Sequence, residues 1–191
     1  GGSASSSSSS GGSSGSGGSG SSSGITVNGT TKTAIPAPEG SVTGVWVQDG
    51  AGRWLFTSEG RTFAGESAYI HNPYAGEGQE TTSWFWFDEN GHMKTGWFQD
   101  PADGSWYFLH DQSDGSLGHM CTGWRQIQGS WYYFGTDGRM AVGWHWIDGK
   151  CYYMNRPEGT MAADITTPDG YTVNSSGEWT VNGVVQTRET K

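Results

Sequence analysis

Leu, Ile and Val are scarce in this chain, which excludes a conventional aliphatic core. Aromatic residues make up 14% of it, so rings must fill the interior instead. Charged residues are only 15%, too few for a disordered polyampholyte. Positive charge is short as well: 10 Lys and Arg against 19 Asp and Glu leave a net charge of -9. That balance argues against nucleic acid, which needs a basic stripe, and against an anionic membrane surface, which attracts Lys and Arg. A cationic or neutral-sugar partner is compatible with it. No apolar run approaches the roughly 20 residues of a membrane helix, so no membrane insertion is expected. No segment repeats apolar residues at a helical period, so no helix of any length is expected. Cysteine is limited to Cys121 and Cys151, and neither Cys nor His occurs at metal-ligand spacing. The two thiols are expected to be buried and unbridged, with a disulfide between adjacent repeats as the alternative. No metal or cofactor is called for. The chain begins Gly1-Gly2-Ser3, without Met or signal peptide, and reads as a fragment whose N-terminal part lies elsewhere.

What is present is a repeat. Trp84-Phe-Trp-Phe-Asp-Glu-Asn-Gly-His-Met-Lys-Thr-Gly-Trp97 aligns without a gap on Trp131-Tyr-Tyr-Phe-Gly-Thr-Asp-Gly-Arg-Met-Ala-Val-Gly-Trp144. Each is an aromatic run, a polar Gly turn, a Met and then Gly-Trp. A unit this short cannot bury its own apolar face, so copies must stack. Trp124 to Phe134 reads as two short aromatic strands flanking a turn at Gly129, a β-hairpin signal. Trp144 to Met154 repeats it around Asp148-Gly149, a strong turn dipeptide. Trp97 to Leu109 is a looser copy with a longer turn. Trp46 to Phe56 is the first copy, and a second lies between it and Trp84, its turn swollen by residues 68–80.

The expected fold is all-β, an array of stacked hairpins. Residues 1–24 are almost pure Gly and Ser and read as a flexible, disordered linker. Residues 25–44 read as extended linker, with room for a short strand at Ile25-Thr26-Val27. The array spans 45–165. Residues 166–180 break the pattern and read as a cap over its last open face, and 181–191 as a loose tail.

On a strand alternate residues share a face, so Trp131 and Tyr133 point one way and Tyr132 and Phe134 the other. Gaps between stacked hairpins would be walled by rings, and such cages attract quaternary ammonium groups. A Met thioether can floor the pocket without needing a hydrogen bond. The competing reading of each Trp is core filler, and exposed rings also stack on sugars. Catalysis finds no support: Asp88, Glu89, Asp137 and Asp148 fall in expected turns, and the five histidines are scattered.

The string Gly-Trp, Gly-x-Trp-Tyr-Tyr-Phe, Gly-x-Met-x-Thr-Gly-Trp, carried by Gly123 to Trp144, Trp84 to Trp97 and Met120-Cys-Thr-Gly-Trp124, resembles the choline-binding, or cell-wall-binding, repeats of Gram-positive surface proteins and their phages. The closing Thr167 to Trp179 looks like a terminal unit of clostridial members. The resemblance covers roughly residues 45–179. It implies a solenoid of β-hairpins with choline held between consecutive ones. One pocket would take Trp124, Trp131, Met140 and Tyr153 or Trp144. An earlier one would take Trp97, Trp106, Met120 and Tyr133 or Trp124. After Trp144, Cys151 stands where the family has Trp. The implied role is a non-catalytic wall-anchoring module of a secreted, cell-wall-associated protein, with choline or phosphocholine on teichoic or lipoteichoic acid as partner. A glucan or other wall polysaccharide is one alternative, and a structural spacer or protein-contact surface another. The Met before each Gly-Trp favours a cation cage over a sugar platform.

Overall fold

A computed structural model describes residues 24–27 and 29–190. The Gly/Ser leader, up to residue 23, lies outside the described residues. The fold is all-β: the described residues hold 17 strands and no helix. The chain divides into two units, one running up to residue 96 and including 109–120, the other comprising 97–108 and 121–191.

In the first unit, Gly24–Val27 (β1) pairs antiparallel with Thr30–Thr33 (β2). Val45–Gln48 (β3), Trp54–Ser58 (β4) and Arg61–Thr62 (β5) form a three-stranded meander. Ser67–His71 (β6) then pairs with Thr82–Trp86 (β7). Ala68 to His71, expected in the swollen turn, is therefore strand, because Ala68, Ile70 and His71 bury their side chains. Rings do the work of aliphatics here: Phe56, Phe63, Phe85 and Phe87 bury together with Ala68 and Ile70.

Part of the expected linker is structured too. The Ile35 N–H donates to the Pro73 carbonyl at 2.9 Å, and His71 Nε2 hydrogen-bonds the Ile35 carbonyl at 2.8 Å. Val42 and His71 complete the attachment: the Val42 N–H donates to Tyr69 and the His71 N–H to Val42, both at 2.8 Å. These partners lie about thirty residues away, so polar composition alone gave no sign of them.

The second unit is built on three hairpins. Gly96–Gln99 (β8) pairs with Trp106–Leu109 (β9), Gly123–Ile127 (β10) with Ser130–Phe134 (β11), and Gly143–Ile147 (β12) with Lys150–Met154 (β13). The turns of the last two place Gln128 and Gly129 at φ 49° and 85°, and Asp148 and Gly149 at 49° and 83°. Two successive left-handed residues match the twist of the flanking strands, and Asp-Gly tolerates that geometry well. A four-stranded sheet closes the unit: Ile165–Thr166 (β14), Thr172–Val173 (β15), Trp179–Val181 (β16) and Val184–Val185 (β17), in that order.

The stretch after β16, read as a loose tail, is tied down. Thr187 bridges Lys150, the Arg188 N–H donates to the Gly149 carbonyl at 2.8 Å, and the Arg188 guanidinium lies 4.8 Å from the Trp146 ring centroid. Cys121 and Cys151 are buried and not disulfide-bonded.

Aromatic cages between consecutive hairpins

The repeat Met carries the stacking. Met140 forms an isolated bridge with Phe134, the end of its own hairpin, while its N–H donates to the Trp106 carbonyl of the preceding one at 2.8 Å. Met161 does the same with Met154 and Trp131, also at 2.8 Å. In the first unit Met93 donates to Trp54 at 2.8 Å and Met120 to Trp84 at 3.1 Å. Each loop is thereby pinned to a Trp in the second strand of an earlier hairpin.

That pinning assembles rings. Trp97 lies 6.2 Å from Trp106 at 84°, and 4.9 Å from Tyr132 of the next hairpin at 66°. One hairpin later the same figure recurs: Trp124 lies 6.5 Å from Trp131 at 85° and 4.8 Å from Tyr152 at 71°. Beneath the first cage, Phe108, Cys121 and Phe134 form a buried floor against which Tyr132 and Met140 pack. The walls stay open: Trp97 is 39% exposed, Trp106 38% and Trp131 42%. Aromatic surface is thus held partly in water twice in one geometry.

Trp97 with Trp106 and Trp124 with Trp131 are brought together as the repeat pattern anticipates. The remaining walls differ from the expected ones. Tyr132, not Tyr133, faces Trp97, and Tyr152, not Tyr153, faces Trp124. Tyr133 and Tyr153 instead touch Trp124 and Trp144 of their own hairpins, at 5.2 and 5.1 Å. Met140 joins Trp106 rather than Trp131, whose partner is Met161. Met120 belongs to the first unit and to Trp84. A stacked hairpin has a neighbour on each side, so its two faces serve two different cages. Across the gap, where the resemblance implies Tyr133 or Trp124 and Tyr153 or Trp144, the rings in contact are Tyr132 and Tyr152.

The first hairpin carries a related arrangement that the irregular spacers obscured. Trp46 stands 5.1 Å from Phe85, and Met93 is tied to Trp54. Trp46 also packs on Phe56 and Phe87 at 5.0 and 5.8 Å, so it is drawn into the core. In the second hairpin Ser67 opposes Trp86, at the position that Trp124 holds opposite Tyr133, so that ring is missing.

The acidic turn residues act on the backbone. Asp88 Oδ1 accepts the N–H groups of Asn90 and His92, both at 2.9 Å, and His92 lies between Asp49 and Asp88 at 3.2 and 3.5 Å.

Residues 121–164 match the family model described as choline-binding repeat, and residues 80–93 and 95–116 match that of the cell wall binding repeat. The choline binding domain of Spr1274 from Streptococcus pneumoniae is 44% identical, covering 46% of this chain and 96% of that one, with a TM-score of 0.39. The chain belongs to the choline-binding repeat family. Two further members show 25% and 27% identity: choline binding protein F of Streptococcus pneumoniae in the presence of a peptidoglycan analogue, and the cell wall endolysin of phage Cp-1 complexed with choline. The first covers 84% of this chain and 58% of its own at a TM-score of 0.49; the second covers 78% and 40% at 0.46. The chain thus spans about half the length of these two proteins. No curated protein matches it.

Proposed function

We propose that the array is a non-catalytic wall-binding module, anchoring a secreted protein to a Gram-positive surface by holding choline of teichoic acids in the cages at Trp97/Trp106/Tyr132 and Trp124/Trp131/Tyr152. The observation that carries this reading is the recurrence of one ring geometry at successive hairpins, with walls open to solvent. Rings set near right angles surround a compact cation. A sugar platform needs one flat ring face left uncrossed, so the geometry favours choline over glucan.

Three rings at about 1–2 kcal/mol each, less the cost of ordering the ligand, leave about 4 kcal/mol, a dissociation constant on the order of mM. One such site does not retain a protein on a wall. Several sites on one polymer bearing many cholines do, because the second contact is intramolecular. Copy number is then what sets attachment strength.

The test is titration of the chain with choline, followed by tryptophan fluorescence and by melting temperature. A saturable response on the order of mM with a raised melting temperature is expected. No response to choline alongside a response to wall glucan would replace this reading with the polysaccharide one.

A further inference from the structure

Cys151 stands at the position of Trp106 and Trp131, so the third hairpin of the second unit cannot complete a cage from its own strands. The sheet that follows it supplies rings instead. Trp179, which opens β16, lies 6.4 Å from Trp144 at 63°. That separation matches the 6.2 and 6.5 Å that Trp106 and Trp131 keep from their partners. Tyr171 takes the third place, 5.8 Å from Trp144 at 87° and 6.0 Å from Trp179 at 87°. Two of the three pairs of planes cross at 87° and the third at 63°, forming a corner with centres 5.8 to 6.4 Å apart, a spacing comparable to the ~6 Å reach of a cation–π contact. Tyr171 is 49% exposed, the most open ring of the three. The Trp179 Nε1 is buried, so the accessible part of that indole is carbon.

This corner differs from the other two cages in one chemical respect. Asp169 sits at its edge. Its Oδ2 accepts the Trp144 Nε1–H at 2.7 Å and its Oδ1 accepts the Thr167 hydroxyl at 2.5 Å. Those two donors keep the carboxyl below its usual range, hence ionised at neutral pH. A single donor to each oxygen leaves acceptor capacity on both. A full negative charge beside the Trp144 ring favours a cation by Coulomb attraction.

We propose that Trp144, Tyr171 and Trp179, with Asp169 as counter-charge, form a third cation cage, built by the closing sheet and not by the repeat, which takes a trimethylammonium group such as that of choline. This deepens the proposed function and rests on it. Unlike the all-aromatic cages, this one weakens with added salt, because its counter-charge is partly open to solvent.

The experiment uses the chain carrying Trp106→Ala and Trp131→Ala, which removes a wall from each repeat-built cage, and titrates it with choline beside the wild type. The expected result is residual saturable binding that Tyr171→Leu abolishes and that Asp169→Asn weakens severalfold while removing its salt dependence. Tyr171→Leu keeps apolar bulk at a half-exposed position, and retention of the wild-type strand signal in circular dichroism verifies its fold. Binding by the wild type with none left in the double variant overturns the third cage and leaves the proposed function standing. Residual binding indifferent to Tyr171→Leu also overturns it. A wild type that ignores choline overturns both.

Discussion

The N–H of Met140 donates to the carbonyl of Trp106 at 2.8 Å, tying the loop after one hairpin to the strand that opens the cage of the one before. The bond uses backbone atoms alone, yet it fixes which side chains meet. Its consequences are separable by mutation.

Trp106→Ala and Trp131→Ala should each delete one cation site and leave the array folded. Both side chains are about two-fifths exposed, so the loss of stability should fall short of the ~3–5 kcal/mol of a fully buried ring. Calorimetric stoichiometry would fall by one site per substitution. Global unfolding of either variant would show the ring to be structural.

Tyr132→Ala should weaken choline binding at the cage of Trp97, and Tyr152→Ala at that of Trp124, each by about the worth of one ring, roughly tenfold. Loss of the Trp97 site on Tyr133→Ala, with Tyr132→Ala silent, would reverse the assignment of faces.

Phe134 is fully buried, against Phe108 and Cys121. Phe134→Ala should cost about 3–5 kcal/mol. Because Tyr132 and Met140 rest on that floor, choline affinity and melting temperature should fall together, the reverse of the tryptophan variants.

Gly159 holds φ +80°, and a Cβ there would stand 2.4 Å from Met140 Sδ. Gly159→Ala should destabilise by about 1–3 kcal/mol, combining left-handed strain with displacement of the thioether. Adding Met140→Ala relieves the clash and not the strain, so the double variant should lose less than the two single losses added together. Strict additivity would mean that the two residues do not touch.

Acid should loosen the closing sheet. Glu178 accepts from Lys150 at 2.6 Å, a bond that lowers its pKa, with Asn174 adding to the effect. Asp169 is lowered first by Thr167 and then by Trp144. A carboxyl lowered in the folded state stabilises fully above its unfolded pKa, about 4, and loses that contribution as pH falls through the folded value. Melting temperature should therefore be level from neutrality to about pH 5 and drop below about pH 4. Glu178→Gln should flatten that drop; an unchanged acid slope would remove the ion pair from the account.

Much of the hairpin array was legible because its signals are local. Asp148-Gly149 marks a two-residue turn by backbone chemistry alone, and Trp at fixed offsets marks strand openings. The cages were half legible. Trp124 and Trp131 lie on one hairpin, and strand alternation puts them on one face. Tyr152 comes from the next hairpin, and its choice over Tyr153 depends on which face that hairpin turns backward. Alternation defines two faces but does not orient them. The attachment of Ile35 and Val42 to β6, and of Arg188 to the turn at Gly149, rests on backbone hydrogen bonds between distant segments, which leave no mark in composition.

The closing sheet also sets a grammar for growth. Within the second unit each hairpin reads backward through one face and forward through the other, so an inserted copy would meet the same Trp carbonyl and the same Met amide on either side. Glu178 and Asp169 end that sentence: they answer Lys150 and Trp144 with side chains that no repeat provides. A copy inserted between two hairpins of this unit would find both of its backbone partners already in place.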